Sequence, residues 1–218
     1  MESPTPPVTC QQWKRTMKQD GESVLTLSIR RPAFPDTGKT KRIERYFAEV
    51  AQQWKTHWET TLFSRACQAL ADARAASKLF IPWQAELDYT VTFWQPPLLS
   101  LRLDAVETGQ SARPLHICMG ETWDCESGYP RTLRSFFPAK ERRWRKQLLD
   151  NVREQAARQL ASGESLLDPD CAQVMDRAFD PGRFYLTGDG IAVFYPLYVL
   201  GAYAEGIPVF TVPIPEGN

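Results

Sequence analysis

Apolar residues recur every three or four positions from about Thr37 to Ser77, which is the period of an amphipathic helix. The opposite positions carry charged side chains such as Lys41 and Arg45. The pattern predicts one long helix, in which Trp54 and Trp58 pack against the core as large aromatic residues of an apolar stripe normally do. The apolar positions are Ile43, Phe47, Val50, Trp54, Trp58, Leu62, Ala66 and Leu70.

Alternation of apolar and polar residues predicts strands before and after this helix. Two alternating segments, Val8–Lys18 and Ser23–Arg31, flank Asp20-Gly21, which is typical of a hairpin turn. Three further strands should follow the helix, and their connections are too short for a crossover, so they should form an antiparallel meander. Their apolar positions run from Ala85 to Phe93, from Leu99 to Leu103 and from Leu115 to Met119, with turns at Pro96-Pro97 and Glu107–Ala112.

The last eighty residues predict two more helices and a hairpin. An apolar stripe indicates a helix from about Ala139 to Ser162, with Gly163 as its stop signal, and a short helix should span Asp170–Phe179. Phe184–Leu186 and Ile191–Tyr195 are apolar runs joined by Thr187-Gly188-Asp189-Gly190, which predicts a C-terminal hairpin.

These elements predict an α+β fold, with an antiparallel β-sheet meander covered by two long helices and a C-terminal β-hairpin. Residues 1–8 are proline-rich and are expected to be a flexible tail. Residues 9–218 should form a single module, and the alternative is a division into two closely packed subdomains, about 9–110 and 111–218.

Composition narrows the class of protein but not its activity. The 218 residues are 43% hydrophobic and 24% charged, with 26 basic and 26 acidic side chains, so no overall charge draws the chain to nucleic acid or an anionic membrane. The sequence as written has no signal peptide and no apolar run long enough to span a bilayer. This predicts a cytoplasmic protein, or an extracytoplasmic one if a leader has been removed. Five scattered cysteines indicate reduced thiols rather than a disulfide framework.

Two blocks of sequence carry a resemblance to a known family. They are WDCESGYPRTLRSFF, from Trp123 to Phe137, and FYLTGDGIAVFYPLYVLGAYAEGIPVFTVP, from Phe184 to Pro213. Together they resemble an uncharacterised bacterial domain that forms the extracytoplasmic part of RsiV-type, lysozyme-sensing anti-sigma factors and an N-terminal module of some peptidoglycan deacetylases. The resemblance implies an α+β module that recognises a lysozyme-like protein or a cell-wall glycan.

Motifs for catalysis are missing from the sequence. The two histidines, His57 and His116, do not have metal-ligand spacing, and no nucleophile elbow, P-loop or dinucleotide fingerprint occurs. We therefore expect no metal and no cofactor. A hydrolytic site that uses His116 and the nearby Cys118 is the enzymatic alternative.

Two clusters are candidates for binding. The first is the aromatic and glycine-rich C-terminal segment, in which Tyr195, Tyr198, Tyr203 and Glu205 are the candidate ligand-binding residues. The second is the basic run from Arg131 to Lys146, in which Arg142, Arg145 and Lys146 share one face of the predicted helix. The leading hypothesis is a non-enzymatic binding or sensing module. The runner-up is the hydrolytic site described above, and the third hypothesis is an adaptor that binds nucleic acid or an acidic partner through the basic run.

Overall fold

The computed structural model describes residues 5–35, 38–109, 113–163 and 165–215. They form two compact units, each built from segments that are separated in the chain. The N-terminal unit comprises Thr5–Tyr89 and Leu103–Ile117, and the C-terminal unit comprises Thr90–Arg102 and the chain from Cys118 onward. The domain division near residue 110 stays a prediction, as does the flexible tail, part of which lies outside the described residues.

Six strands form the larger sheet, and their order in the sheet follows their order in the chain. The predicted hairpin between the first two strands is confirmed, since they pair antiparallel across Asp20 and Gly21, both with positive φ. The strands are β1 (Thr9–Gln19), β2 (Glu22–Ala33), β3 (Trp83–Gln95), β4 (Leu98–Thr108), β5 (Leu115–Asp124) and β6 (Tyr129–Pro130).

Strands β2 and β3 run parallel, with Leu25 opposite Trp83 and Ile29 opposite Leu87. This corrects the expectation of an antiparallel sheet. The physical reason is the long helical segment between the two strands, because a crossover of this length is what a parallel return requires. The two-residue link between β3 and β4 permits only the predicted antiparallel return.

The long helical segment has three consecutive parts, α1 (Thr40–His57), a π-helical turn (Trp58–Leu62) and α2 (Phe63–Ala75). Thr37, the predicted start, lies outside the described residues. The apolar spacing explains the π turn: Trp54, Trp58, Leu62 and Ala66 are four apart, and a regular α-helix with 3.6 residues per turn would rotate that stripe away from the sheet. The wider π turn keeps its own first and last side chains, Trp58 and Leu62, buried.

The C-terminal unit has its own core between two helices and a second sheet. Its helices are α3 (Trp144–Ser162) and α4 (Cys171–Ala178), and its sheet has the antiparallel order β7 (Phe184–Thr187), β8 (Gly190–Phe194) and β9 (Val209–Val212). The predicted C-terminal hairpin is thus confirmed, and it gains a third strand. Leu148 and Val152 of α3, Met175 of α4 and Leu186 of β7 belong to one buried cluster.

Two sequence-based details differ from the structure. Helix α3 begins at Trp144 rather than near Ala139, because the residues after Pro138 form a turn in which the Glu141 N–H donates to the Pro138 carbonyl. The apolar positions Leu115 and Ile117 of β5 are exposed, so the face of the strand on which they lie is not covered there. In the described part of the chain, no helix is both long enough and apolar enough to cross a membrane.

Candidate functional site

The four C-terminal candidate residues separate into a core residue, a structural carboxylate and a pair of stacked aromatic residues. Tyr195 is the core residue, with 1% of its surface exposed. Its hydroxyl donates to the Met175 carbonyl at 3.4 Å, and its ring packs edge-on against Phe210. Burial raises the pKa of Tyr195 to about 12, so the phenol stays protonated at neutral pH. Tyr195 therefore stabilises the fold and is not available to a ligand.

Tyr198 and Tyr203 form the aromatic pair, in which Tyr198 is exposed and Tyr203 is partly buried. Their ring centroids lie 5.8 Å apart at an interplanar angle of 37°, and Tyr198 is 57% exposed. Tyr198 also has a φ of +64°, which places a bulky side chain in the left-handed region. For a residue other than Gly, Asn or Asp this backbone conformation costs about 1–2 kcal/mol, so the ring is held outward against a local penalty.

Glu205 fixes the backbone around this pair. Its carboxylate accepts hydrogen bonds from the Leu166 N–H and from the Ser165 hydroxyl, the latter at 3.1 Å. A Cβ atom at Gly201 would lie 2.7 Å from the Leu166 carbonyl oxygen, so only glycine permits the two segments to approach. Since Tyr203 and Glu205 share one 3₁₀ turn, that turn both stacks on Tyr198 and holds the Leu166 segment.

The first resemblance block forms a tight turn and a core anchor. Asp124 accepts hydrogen bonds from the N–H groups of Ser127 at 2.8 Å and Glu126 at 3.0 Å, and Gly128 closes the turn with a φ of +71°. The Ser127 N–H is the main reason that the pKa of Asp124 is lowered. Phe136 then enters the core from a short 3₁₀ helix, Leu133–Phe136. This block is scaffold for the C-terminal unit.

The basic candidates Arg142, Arg145 and Lys146 line one open cavity of the C-terminal unit. Arg131 and Arg134, from the same basic run, do not. Arg131 lies 3.9 Å from the Asp124 carboxylate, and Arg134 donates to the backbone carbonyls of residues 137, 138 and 139. The structure thus separates arginines that stabilise the fold from those that face a cavity.

The residues of the hydrolase alternative lie on β5. His116 Nε2 is 2.7 Å from Asp104 Oδ1 on β4, and both side chains are partly buried. Cys118 packs against an apolar cluster that includes Tyr185 and Phe194. The described residues hold no group of three or more His, Cys, Asp or Glu side chains that could bind a metal ion. A thiol used in apolar packing is not placed as an activated nucleophile would be.

Sequence reasoning missed a polar cluster beneath the π turn. The buried Trp58 donates from Nε1 to Glu107 at 2.9 Å, and His57 Nε2 lies 3.3 Å from the same carboxylate oxygen. Glu107 also lines a cavity of about 280 Å³ together with Arg65 and Trp83. The spacing of four residues between apolar positions was the sequence signal for the π turn. No sequence pattern linked Glu107 to Trp58, which lies 49 positions earlier.

Comparison with known proteins gives a family match for part of the chain. Residues 135–214 match a family described as "Protein of unknown function (DUF3298)". This segment starts within the first resemblance block and contains the second. No curated protein matched.

Two solved structures share the fold over nearly the whole chain. A member of the DUF3298 family from Bacteroides fragilis superposes with a TM-score of 0.64 at 17% sequence identity. The superposition covers 94% of this chain and 90% of the Bacteroides chain. A DUF3298 family protein from Pseudomonas aeruginosa gives a TM-score of 0.62 at 16% identity, covering 97% and 91%. At these identities the likeness establishes the fold alone. The chain therefore has the fold seen in DUF3298 structures, and its last third carries the sequence match to that family of unknown function.

Proposed function

We propose that this chain is a non-catalytic recognition module of bacterial origin that binds a protein partner. Its binding surface consists of Leu166, Tyr198 and Tyr203, which we name the tyrosine surface. The observation that carries the proposal is Tyr198, a largely exposed aromatic side chain on a backbone with positive φ. Strained backbone that folding does not require is concentrated at functional positions.

The chemistry of the tyrosine surface suits a protein. Leu166 and Tyr198 are 59% and 57% exposed, and tyrosine is enriched at the energetically dominant positions of protein interfaces. The ring of each tyrosine offers a large rigid contact area with few rotatable bonds, so little side-chain entropy is lost on binding. The 3₁₀ turn that carries Tyr203 and Glu205 orders the surface before the partner arrives.

The resemblance to RsiV-type sensors makes a lysozyme-like protein the first partner to test. The likeness to those sensors and to deacetylase modules rests on the two sequence blocks, so it guides the choice of ligand only. A cell-wall glycan is the alternative partner, because tyrosine rings can also stack on sugars. We do not propose hydrolysis, since Cys118 serves apolar packing.

A titration of the immobilised chain with lysozyme and with soluble peptidoglycan fragments tests the proposal. Biolayer interferometry should give saturable binding to lysozyme, and Tyr198→Ala should weaken it about tenfold or more, as expected for an interface hot spot. Tyr129→Ala is the matched control, because Tyr129 is also 57% exposed but lies on β6. If the chain binds the peptidoglycan fragments but not lysozyme, the proposal of a protein partner is wrong and the partner is a glycan. Equal loss in the two variants, or no binding to either ligand by the folded chain, would overturn the proposal.

A further inference from the structure

Five cationic side chains line a single open cavity of about 430 Å³ in the C-terminal unit. We name it the basic cavity. Its wall also includes the buried Leu149 and the carboxylate of Asp176. The cationic residues are Arg142, Arg143, Arg145, Lys146 and Arg153. A volume of this size lies within the range of about 300–1,000 Å³ that small-ligand sites occupy.

Two of these cations are held in place by the fold. Arg145 donates to the Asp176 carbonyl at 3.2 Å, and its guanidinium lies 5.1 Å from the centre of the Phe179 ring. Arg153 is paired with Asp150 at 2.9 Å and with the side chain of Asp176. Guanidinium groups fixed in this way lose little further freedom when an anion binds.

Arg142 and Arg143 differ from this pair. Both are exposed, and within the described residues neither side chain has a recorded ion pair or hydrogen bond. Their donors are thus available to a ligand. Lys146 is intermediate, since it contacts Asp150 at 2.5 Å and still lines the cavity.

The charge around the basic cavity is not balanced within the fold. Asp176 is the carboxylate that lines the cavity with the five cations, and two more adjoin it: Asp150, which pairs with Lys146, and Glu141, which accepts from the Arg143 backbone. Five positive charges thus stand beside three negative ones, an excess of two. Glu141 is already engaged, because it accepts hydrogen bonds from the Arg143 N–H and from Gln147. The hydrogen bond from Lys146 also lowers the pKa of Asp150, so this carboxylate stays ionised at neutral pH and is already counted among the three negative charges.

This arrangement costs helix stability. Helix α3 begins at Trp144 and has no acidic residue in its first turn, whereas Arg145 and Lys146 stand there. Cations near a helix N-terminus oppose the helix dipole, and like charges three or four residues apart repel each other. A bound anion would offset both costs. The packing of the apolar face of α3 does not by itself require cations at these positions.

We propose that the basic cavity binds a phosphate group, which Arg142 and Arg143 contact directly and which the fixed guanidinium groups of Arg145 and Arg153 help to hold. Arginine is the side chain best suited to this ligand, since its planar fork can donate two parallel hydrogen bonds to phosphate oxygens. The phosphate can come from a free pyrophosphate-like molecule or from a phosphodiester chain.

Isothermal titration calorimetry with inorganic pyrophosphate and with a short oligothymidylate tests the proposal. We expect saturable binding of at least one ligand, and Arg142→Gln with Arg143→Gln should weaken it about tenfold or more. Binding of pyrophosphate alone assigns the site to free phosphates, and tighter binding of the oligonucleotide assigns it to phosphodiesters. Circular dichroism should show an unchanged fold, because both side chains are exposed.

The matched control is Lys14→Gln with Lys18→Gln, which removes the same charge from exposed positions of β1. Binding should survive in this control at constant ionic strength. Equal weakening in both double variants would reveal attraction by overall charge and would overturn the proposal. Absence of saturable binding to both ligands would overturn it as well.

Discussion

The Ser100 hydroxyl oxygen accepts a hydrogen bond from the Leu186 N–H at 2.8 Å, so a side chain of β4 is bonded to the backbone of β7. Ser100 is fully buried and also lies 2.8 Å from the Thr122 hydroxyl. The same hydroxyl donates to the Glu121 carbonyl at 3.2 Å. One buried serine thus connects the two sheets within the C-terminal unit.

Replacement of Ser100 by alanine should lower the free energy of unfolding by about 1–3 kcal/mol, because the Leu186 N–H would remain buried without its acceptor. Urea denaturation followed by tryptophan fluorescence measures the change. Ser162→Ala is the control, since Ser162 is exposed at the end of α3, and it should stay within about 0.5 kcal/mol of the parent. Equal stability of the two variants would contradict a structural role for Ser100.

Gly120 should tolerate no side chain, because a Cβ atom there would overlap the Phe184 carbonyl group, whose carbon lies within 2.6 Å. We expect Gly120→Ala to destabilise the protein by about 3 kcal/mol or to prevent folding, since backbone cannot move aside as a flexible side chain can. Gly188→Ala is the matched control, as nothing lies within 4 Å of the added carbon there. Thermal unfolding separates the two variants, and a folded Gly120→Ala with an unchanged Tm would contradict this packing.

Much of the fold follows from local patterns. Asp20-Gly21 predicted the first hairpin, Gly163 the end of α3 and Gly188-Asp189 the last hairpin, because turn chemistry depends on neighbouring residues. The parallel pairing of β2 with β3 was missed, although the predicted helix between them is long enough for a crossover. Length alone does not show that the two strands are neighbours, since strand order depends on contacts between distant segments. The exposure of Ile117 escaped prediction for the same reason, because alternation shows a strand but not which of its faces is covered.

Glycine at position 198 should make the folded protein more stable than alanine does. At a φ of +64°, Tyr198→Gly relieves the steric penalty, whereas Tyr198→Ala keeps it, so the glycine variant should be about 1 kcal/mol more stable than the alanine variant. Both variants lose the contact with the Tyr203 ring equally. Differential scanning calorimetry measures the difference. An alanine variant as stable as the glycine variant would contradict strain at this position.

Acid should weaken the turn at Asp124. The Ser127 N–H lowers the pKa of this carboxyl below its value of about 3.9 in the unfolded chain. The ionised Asp124 carboxylate therefore stabilises the fold fully above the unfolded-state pKa, and this stabilisation is lost as the pH falls through the folded-state pKa. Asp124→Asn should show a smaller loss of stability than the parent below about pH 4. Asp189→Asn, an exposed turn residue with the same change of charge, should retain the parent's acid response.

The candidate site was predictable in composition but not in arrangement. Sequence grouped Tyr195 with Tyr198 because both belong to the aromatic and glycine-rich segment. In the structure Tyr195, directly after β8, is buried in the core, whereas Tyr198 lies in a turn and is exposed. The basic run likewise merged Arg134, which binds backbone carbonyls, with Arg142, which faces a cavity. Side-chain direction at the ends of strands and helices decides function here, and it depends on the tertiary fold.

Affinity capture with the folded chain as bait tests the tyrosine surface most directly. Bacterial lysate, cell-wall extract and added lysozyme should be passed over the parent chain, Tyr198→Ala and Tyr129→Ala in parallel, with quantitative mass spectrometry as the readout. The account predicts a saturable protein partner that is retained by the parent and by Tyr129→Ala and lost with Tyr198→Ala. The same proteins captured equally by all three baits, or none captured by the folded parent chain, would contradict it.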